Sequence, residues 1–481
     1  KARAQVSNLT AARLGAAGAA TLDVTASQSK ASAPWSITLD ARGDRFALGV
    51  AEIDRMLGGK PRLQARADWR EGRLAVGKAS LDGAALSVNA AGVMEKTGAL
   101  AFKADWSATG PFRAGPVEIT GKARGTGGVT GSVAAPRLDL VADLEQIDIP
   151  RLPLKDARLV LSFLRQADGS SGAVALTAAS GYGPAQARSD FRFPAGGVDL
   201  TDLSINAGGF RGQGELSLRN RGPSAADLSV EITQGAFLEA GRVAGTAKIV
   251  ATDGAARGIL NLQAENVRPP GSPVTIRSAR LSADGPLARL PYAVDARGAS
   301  GQGAWTIKGA GVLTEAEPGY QLTLDGMGTL GGRDLHTVET ASFRFGGADK
   351  SARIRLAGSD GGKLDLDAIL KGEATDVRAR VASMGLNLFD SDFDGRIDAT
   401  LAVQGRGARL DGTLDATLSD ARGRGTPAAQ GMDGTLRGRL SDSTITLDVA
   451  TTNGQGLKAN ANLVLPAEAS ARPFRVAIAR Q

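Results

Sequence analysis

From Phe393 to Leu465 apolar and polar residues alternate with period two, the spacing of a β-strand with one apolar and one polar face. Ile397, Ala399, Leu401 and Val403 alternate with Asp398, Thr400 and Gln404, and in the next stretch Leu410, Leu414 and Leu418 alternate with Asp411, Thr413, Asp415 and Thr417. Between them lies Gly-Arg-Gly at 405–407, where glycine supplies the positive φ of a tight hairpin turn. After a loop containing Ala and Pro the pattern restarts and yields Ile445, Leu447 and Val449, then Leu463 and Leu465. A hairpin of this kind cannot bury its apolar side alone. These eleven leucine, isoleucine and valine positions are therefore expected to line one face of a larger sheet.

The same grammar fills the chain before them. It appears as TLDVTA (Leu22, Val24), WSITLD (Trp35, Ile37, Leu39), RFALGV (Phe46, Leu48, Val50) and the alternation from Leu63 to Trp69. Arg70 to Gly72 and Glu95 to Gly98 read as turns, and GQGELSL, ILNLQA and GQGAWTI continue the pattern through the middle third. Only residues 50–57, with Val50, Ile53 and Leu57 followed by Gly58 and Gly59, have helical spacing and a glycine stop. Pro150 and Pro153 mark a crossover or an edge rather than a central strand. The segment 266–273, with Pro269, Pro270 and Pro273, predicts a kink. It does not predict a boundary, because the strands on either side share one pattern. The expectation is an all-β fold with very few short helices, in which residues 1–481 form one continuous, elongated and mainly antiparallel sheet. That sheet curls into a taco-like, solenoid-like trough with an apolar concave groove. At a spacing of about 4.8 Å, roughly 40 strands would make a long, narrow ribbon.

Composition sharpens this picture. Glycine accounts for 64 of 481 residues and aromatics for 4%, so the interior is lined by small side chains rather than filled with rings. The absence of cysteine excludes disulfides and thiolate metal sites. Lys+Arg at 57 against Asp+Glu at 50 gives a net charge of +7, spread singly along strands. With so few aromatics there is no stacking platform for nucleic acid. Four Trp and three Tyr cannot furnish the aromatic girdles of an outer-membrane barrel. No apolar run reaches the length of a membrane helix. The chain opens on Lys1 and stops within the strand-like RPFRVAIARQ, so both ends read as cut from a longer protein.

GSVAAPRLDLVADL, GPLARLPYAVDARG, GGFRGQGELSL and FDGRIDATLAVQG resemble the repeating phrases of the TamB (translocation and assembly module) family and, more loosely, of the AsmA-like superfamily. The resemblance rests on the density and order of these phrases along the whole chain. It implies a long β-taco with a hydrophobic groove, anchored in the inner membrane of a Gram-negative bacterium and reaching across the periplasm. It also implies transport of phospholipids between the membranes and a part in outer-membrane biogenesis and protein assembly. The family's N-terminal anchor and its C-terminal domain have no counterpart here. A TamA-like outer-membrane barrel partner is thus expected for the full-length protein, through a region this sequence lacks.

Signals for chemistry are sparse. Asp390, Asp392, Asp394 and Gly395 match the start of a calcium loop, but the twelfth position is Leu401 instead of Glu, and a strand follows instead of a helix. Gly326 to Gly331 spell G-x-G-x-x-G with no helix after them. Ser27 with Lys30, and Lys96 to Gly98, echo penicillin-binding enzymes without the intervening element. His336 is the only histidine and sits where a turn enters a strand. The sequence therefore predicts no enzyme, no cofactor and no catalytic residue. The function expected is a periplasm-spanning, bridge-like lipid transfer protein. The competing readings are an extracellular adhesin or passenger β-solenoid, whose core would be closed and dry, and a solenoid carbohydrate-active enzyme, which would need clustered carboxylates.

Overall fold

The computed structural model describes residues 2–6, 17–48, 51–114, 117–166, 169–194, 196–220, 224–252, 255–301, 303–389, 392–407, 409–427, 430–441, 444–453 and 458–466. Strand takes up 79% of it and helix 3%. The strands gather in two compact units, Lys1–Leu238 and Glu239–Gln481.

Each unit is an antiparallel meander in which successive strands pair with their sequence neighbours. In the first unit the pairing runs from Ala2–Val6 to Ala225–Ile232. The one departure there is the short strand Phe112–Ala114, which pairs beside the beginning of Val117–Ser132 and leaves that long strand to pair directly with Ala99–Thr109. In the second unit the meander runs from Ala240–Thr252 to Lys458–Pro466. The sheet is curled and does not close into a barrel. Fifteen described strands in the second unit, spaced by about 4.8 Å, make a ribbon of roughly 70 Å.

Strands are fewer and longer than the glycine pattern suggested. Gly326 and Gly328 lie inside the strand Tyr320–Leu330, and Val117–Ser132 runs through five glycines. WSITLD and the start of RFALGV form a single strand, Trp35–Ala47, interrupted only by Arg45 at φ 50°. The helix spans Ala51–Leu57, close to the expected 50–57, and Val50 lies outside the described residues. Pro150 and Pro153 flank a short hairpin connection, because Ile147 pairs with Leu154. The segment 266–273 is likewise a hairpin connection, between Ala255–Arg268 and Thr275–Pro286.

Register slips of one or two residues recur near the strand ends, between Val381 and Met384, Asp394 and Arg396, and Leu418 and Ala421 among others. These are β-bulges, which bend and twist a strand and so curl a sheet. At one of them Gly395 has φ 120° and Asp420 on the neighbouring strand φ 53°. A Cβ on Gly395 would stand 2.6 Å from the Asp420 carbonyl oxygen, so only glycine fits there. The amide that a bulge removes from the ladder finds a carboxylate one strand away. Ser383 N–H donates to Asp398 Oδ1 at 2.9 Å, and Asp420 N–H donates to Asp433 Oδ1 at 2.9 Å.

A conventional core exists at one margin of the first unit. There the segments 149–153 and 233–238 carry Leu152 and Ala236 onto Ala108, Ile119, Leu144, Ile147 and Leu154, with Met56 of the helix and Phe112 packed alongside.

Candidate functional site: an apolar face in register

Residues directly opposite each other on neighbouring strands share a face. In the second unit such partners link Ala379, Leu401, Leu414, Gly438, Leu447 and Leu463 across six successive strands. Ile397 faces Leu418, Val403 faces Gly412, and Leu410 faces Gly405. Ile445 faces Leu440, and Val449 faces Leu436. The eleven candidate positions therefore occupy one face, and ten of them are half-buried; Leu465 pairs with Ile445, and its side chain lies outside the described ones. The sequence reading passed over the strand Met432–Ser441 between them. Its Leu436, Gly438 and Leu440 complete the face, and the signal was present as alternation in TLRGRL. The first unit has an equivalent row, from Val129 through Leu138, Phe163, Gly172 and Phe191 to Leu200.

Few large side chains among the described residues are buried, Leu144, Leu152, Leu154 and Met384 among them. A two-layer β-protein of this size would seal many. The apolar residues are half-covered, on a curled sheet that does not close into a barrel. Bulky and small residues alternate across this face, with Leu414 opposite Gly438, Leu418 opposite Gly434 and Leu447 opposite Gly438. Rings lie flat on glycines of the next strand. A Cβ on Gly298 would meet Trp305 at 2.5 Å, one on Gly125 would meet the Trp106 indole nitrogen at 2.8 Å, and one on Gly172 would meet Phe191 at 2.5 Å. Laid down in this way, the rings smooth the surface instead of standing across it.

The opposite face is charged and ordered by cross-strand ion pairs. Arg62 meets Asp40 at 2.6 Å, Arg257 meets Asp284 at 2.8 Å and Arg355 meets Asp367 at 2.5 Å. Arg62 and then Arg42 hold the Asp40 carboxyl well below the usual carboxylate range. Arg355 lowers Asp367, and Arg257 lowers Asp284, in the same way. Depressions on this face, such as the one bounded by Lys122, Arg124, Asp143, Glu145 and Asp156, are lined by charged groups and do not suit an apolar ligand.

The residues considered for chemistry do not converge. His336 is exposed on the strand Arg333–Phe345, opposite Met327 and Ala357. Asp390 lies outside the described residues, and Asp392 is exposed. Asp394 sits opposite Arg422, whose pKa is raised chiefly by its hydrogen bond to Asp420 and further by Asp394. Among the described residues no three His, Cys, Asp or Glu side chains are grouped to hold a metal ion. Gly326 to Leu330 is strand, so it offers no helix N-terminus to a phosphate. Ser27 ends a strand, while Gln28 bridges to the carbonyls of Ala31 and Ala33 in the turn that carries Lys30. Among the described residues no helix is long and apolar enough to cross a membrane. No model of a known protein family matches the chain, and no curated protein matches it.

Proposed function

We propose that the apolar face binds acyl chains and that the protein is a lipid conduit. The observation that carries this reading is the continuous, register-linked apolar face of the second unit, at which the ten described candidate side chains stay only half-buried. An exposed apolar strip of this extent implies an apolar occupant. An acyl chain gains about 0.8 kcal/mol for each CH₂ it buries. A surface of Leu, Val, Ile, Ala and Gly recognises it without orienting any single atom. The flat rings and the Leu–Gly alternation leave the path unobstructed. The resemblance to TamB phrases points to phospholipid as the cargo, to the periplasm as the place, and to outer-membrane biogenesis as the purpose. An adhesin-type solenoid is less well supported, because a closed core would bury the large side chains along the sheet, whereas the ten described candidate side chains stay half-buried.

The test is photocrosslinking from Leu401 and Leu414, with mass spectrometry of organic extracts of the purified protein. Lipid adducts at both positions support the conduit. Leu401→Asp or Leu414→Asp should abolish them while the circular dichroism remains that of a β-sheet, since a charge on an uncovered face reaches water. Crosslinks confined to the protein, together with unfolding on charge insertion, would refute it.

A further inference from the structure

One margin of the first unit has a composition of its own. It is built from the turns that join alternate hairpins, at residues 28–34, 71–72, 95–98, 133–135, 194 and 196. Neighbouring turns are tied to one another. Trp35 pairs with Trp69, Val133 N–H donates to the Gly98 carbonyl at 3.0 Å, and Asn220 N–H donates to the Gly196 carbonyl at 2.8 Å. They therefore form a single lip. The opposite margin is the one sealed by residues 149–153, 233–238 and the short helix. On the lip, large apolar side chains face solvent: Trp35 is 40% exposed, Trp69 43%, Val133 62%, Phe193 44% and Leu218 45%.

Cations accompany them. In the described turns of this lip the carboxylates are Glu71 and Glu95, and each is matched by an arginine, Arg70 at 3.5 Å and Arg73 at 3.0 Å. Lys30, Lys96 and Arg165 are exposed, and among the described residues none of the three is in a salt bridge; Arg192 is exposed too but stands opposite Asp199 on the neighbouring strand. Asp68 and Asp199 sit further in, the latter held by Arg219 at 2.5 Å. The lip thus combines unneutralised positive charge with exposed tryptophan and aliphatic surface.

We propose that this lip docks onto the surface of an anionic phospholipid bilayer. Basic side chains would meet the lipid headgroups, and the Trp35–Trp69 pair would enter the boundary between headgroups and acyl chains, where indole rings are favoured. A nucleic acid would account for the charge but not for Val133 and Leu218, which present no ring to stack on a base. The proposal concerns the first unit's lip and does not depend on what the apolar face of the second unit carries.

The test is flotation of the full chain with vesicles of equal parts phosphatidylglycerol and phosphatidylcholine, against vesicles of phosphatidylcholine alone. The expected result is flotation with the anionic vesicles only, with a blue shift of tryptophan emission that Trp35→Phe with Trp69→Phe removes. The combined variant Lys30→Glu, Lys96→Glu, Arg165→Glu should bind at least about tenfold more weakly, with unchanged circular dichroism. These positions are exposed, in turns or at a strand end, so reversing them leaves the strand ladder intact. Equal flotation of the variant and the unaltered chain, undiminished flotation with neutral vesicles, or capture by duplex DNA in place of vesicles overturns the proposal. Crosslinking at Leu401 and Leu414 is read separately, so the two ideas fail independently.

Discussion

Trp305 rests where Gly298 has no side chain, and this single contact shows why glycine is so abundant here. A methyl on Gly298 would stand 2.0 Å from the Thr275 carbonyl oxygen as well as 2.5 Å from the ring. We expect Gly298→Ala to destabilise the protein by about 1–3 kcal/mol through overpacking, seen as a lower melting temperature. The Trp305 indole nitrogen is buried, with no hydrogen-bond partner among the described residues. An unsatisfied donor carries a desolvation cost that phenylalanine does not have. Trp305→Phe should therefore remain within about 1 kcal/mol of the parent, and Trp305→Ala should be clearly worse. A Trp305→Phe variant as unstable as Trp305→Ala would show that the indole nitrogen is satisfied in solution.

At the scale of the element, hairpins were legible and bulges were not. Alternation and turn glycines placed the hairpin around 405–407, and the strands Phe393–Arg406 and Arg409–Gly423 flank it. Nothing in the alternation of DATLSDARGRG says that the ladder slips between Leu418 and Ala421. That slip leaves the Asp420 amide to the carboxylate of Asp433, a partner supplied by the next strand and so invisible to local reading. Asp433→Ala should cost about 1 kcal/mol and speed hydrogen exchange at the Asp420 amide. Exchange left unchanged would mean that water already serves that amide. Because strands contact chiefly their sequence neighbours, each unit resembles a linear stack whose stability is a sum of neighbour terms. Protection should then be deeper in a strand with described partners on both sides, such as Pro136–Asp148, than in Lys458–Pro466, whose described partner is Thr444–Asn453.

For the whole molecule the charged face sets the pH response. Asp40, Asp199, Asp284 and Asp367 are all held below their ordinary values by arginines across the ladder. The stability they contribute is fully present above the unfolded-state carboxylate value of about 4 and is lost as the pH falls through their lower folded values. The net charge of +7 at pH 7 grows over the same range and adds repulsion. Melting temperature should be nearly flat from neutral pH down to about 5 and should drop below about 4. Asp40→Asn with Asp367→Asn should flatten that drop only partly, since exposed ion pairs each contribute little. A double variant with an acid transition identical to the parent's would locate the effect elsewhere.

Period-two alternation by itself determined that this chain is an antiparallel β-protein, and which side chains of each strand turn toward the apolar face. Both follow from the geometry of one strand, in which neighbours point to opposite sides. That is why Ile397, Leu401 and Val403 could be grouped before any coordinates. Their alignment with Leu414 and Leu447 is a matter of register, and the missed Leu436 and Leu440 show how a strand drops out when only local runs are read. The curl of the sheet depends on bulges whose stabilising partners lie one strand away. Whether the apolar face is covered depends on segments such as 149–153 and 233–238, which seal a margin in the first unit. Those choices belonged to the tertiary structure, because burial is a property of what lies across from a residue and not of the residue itself.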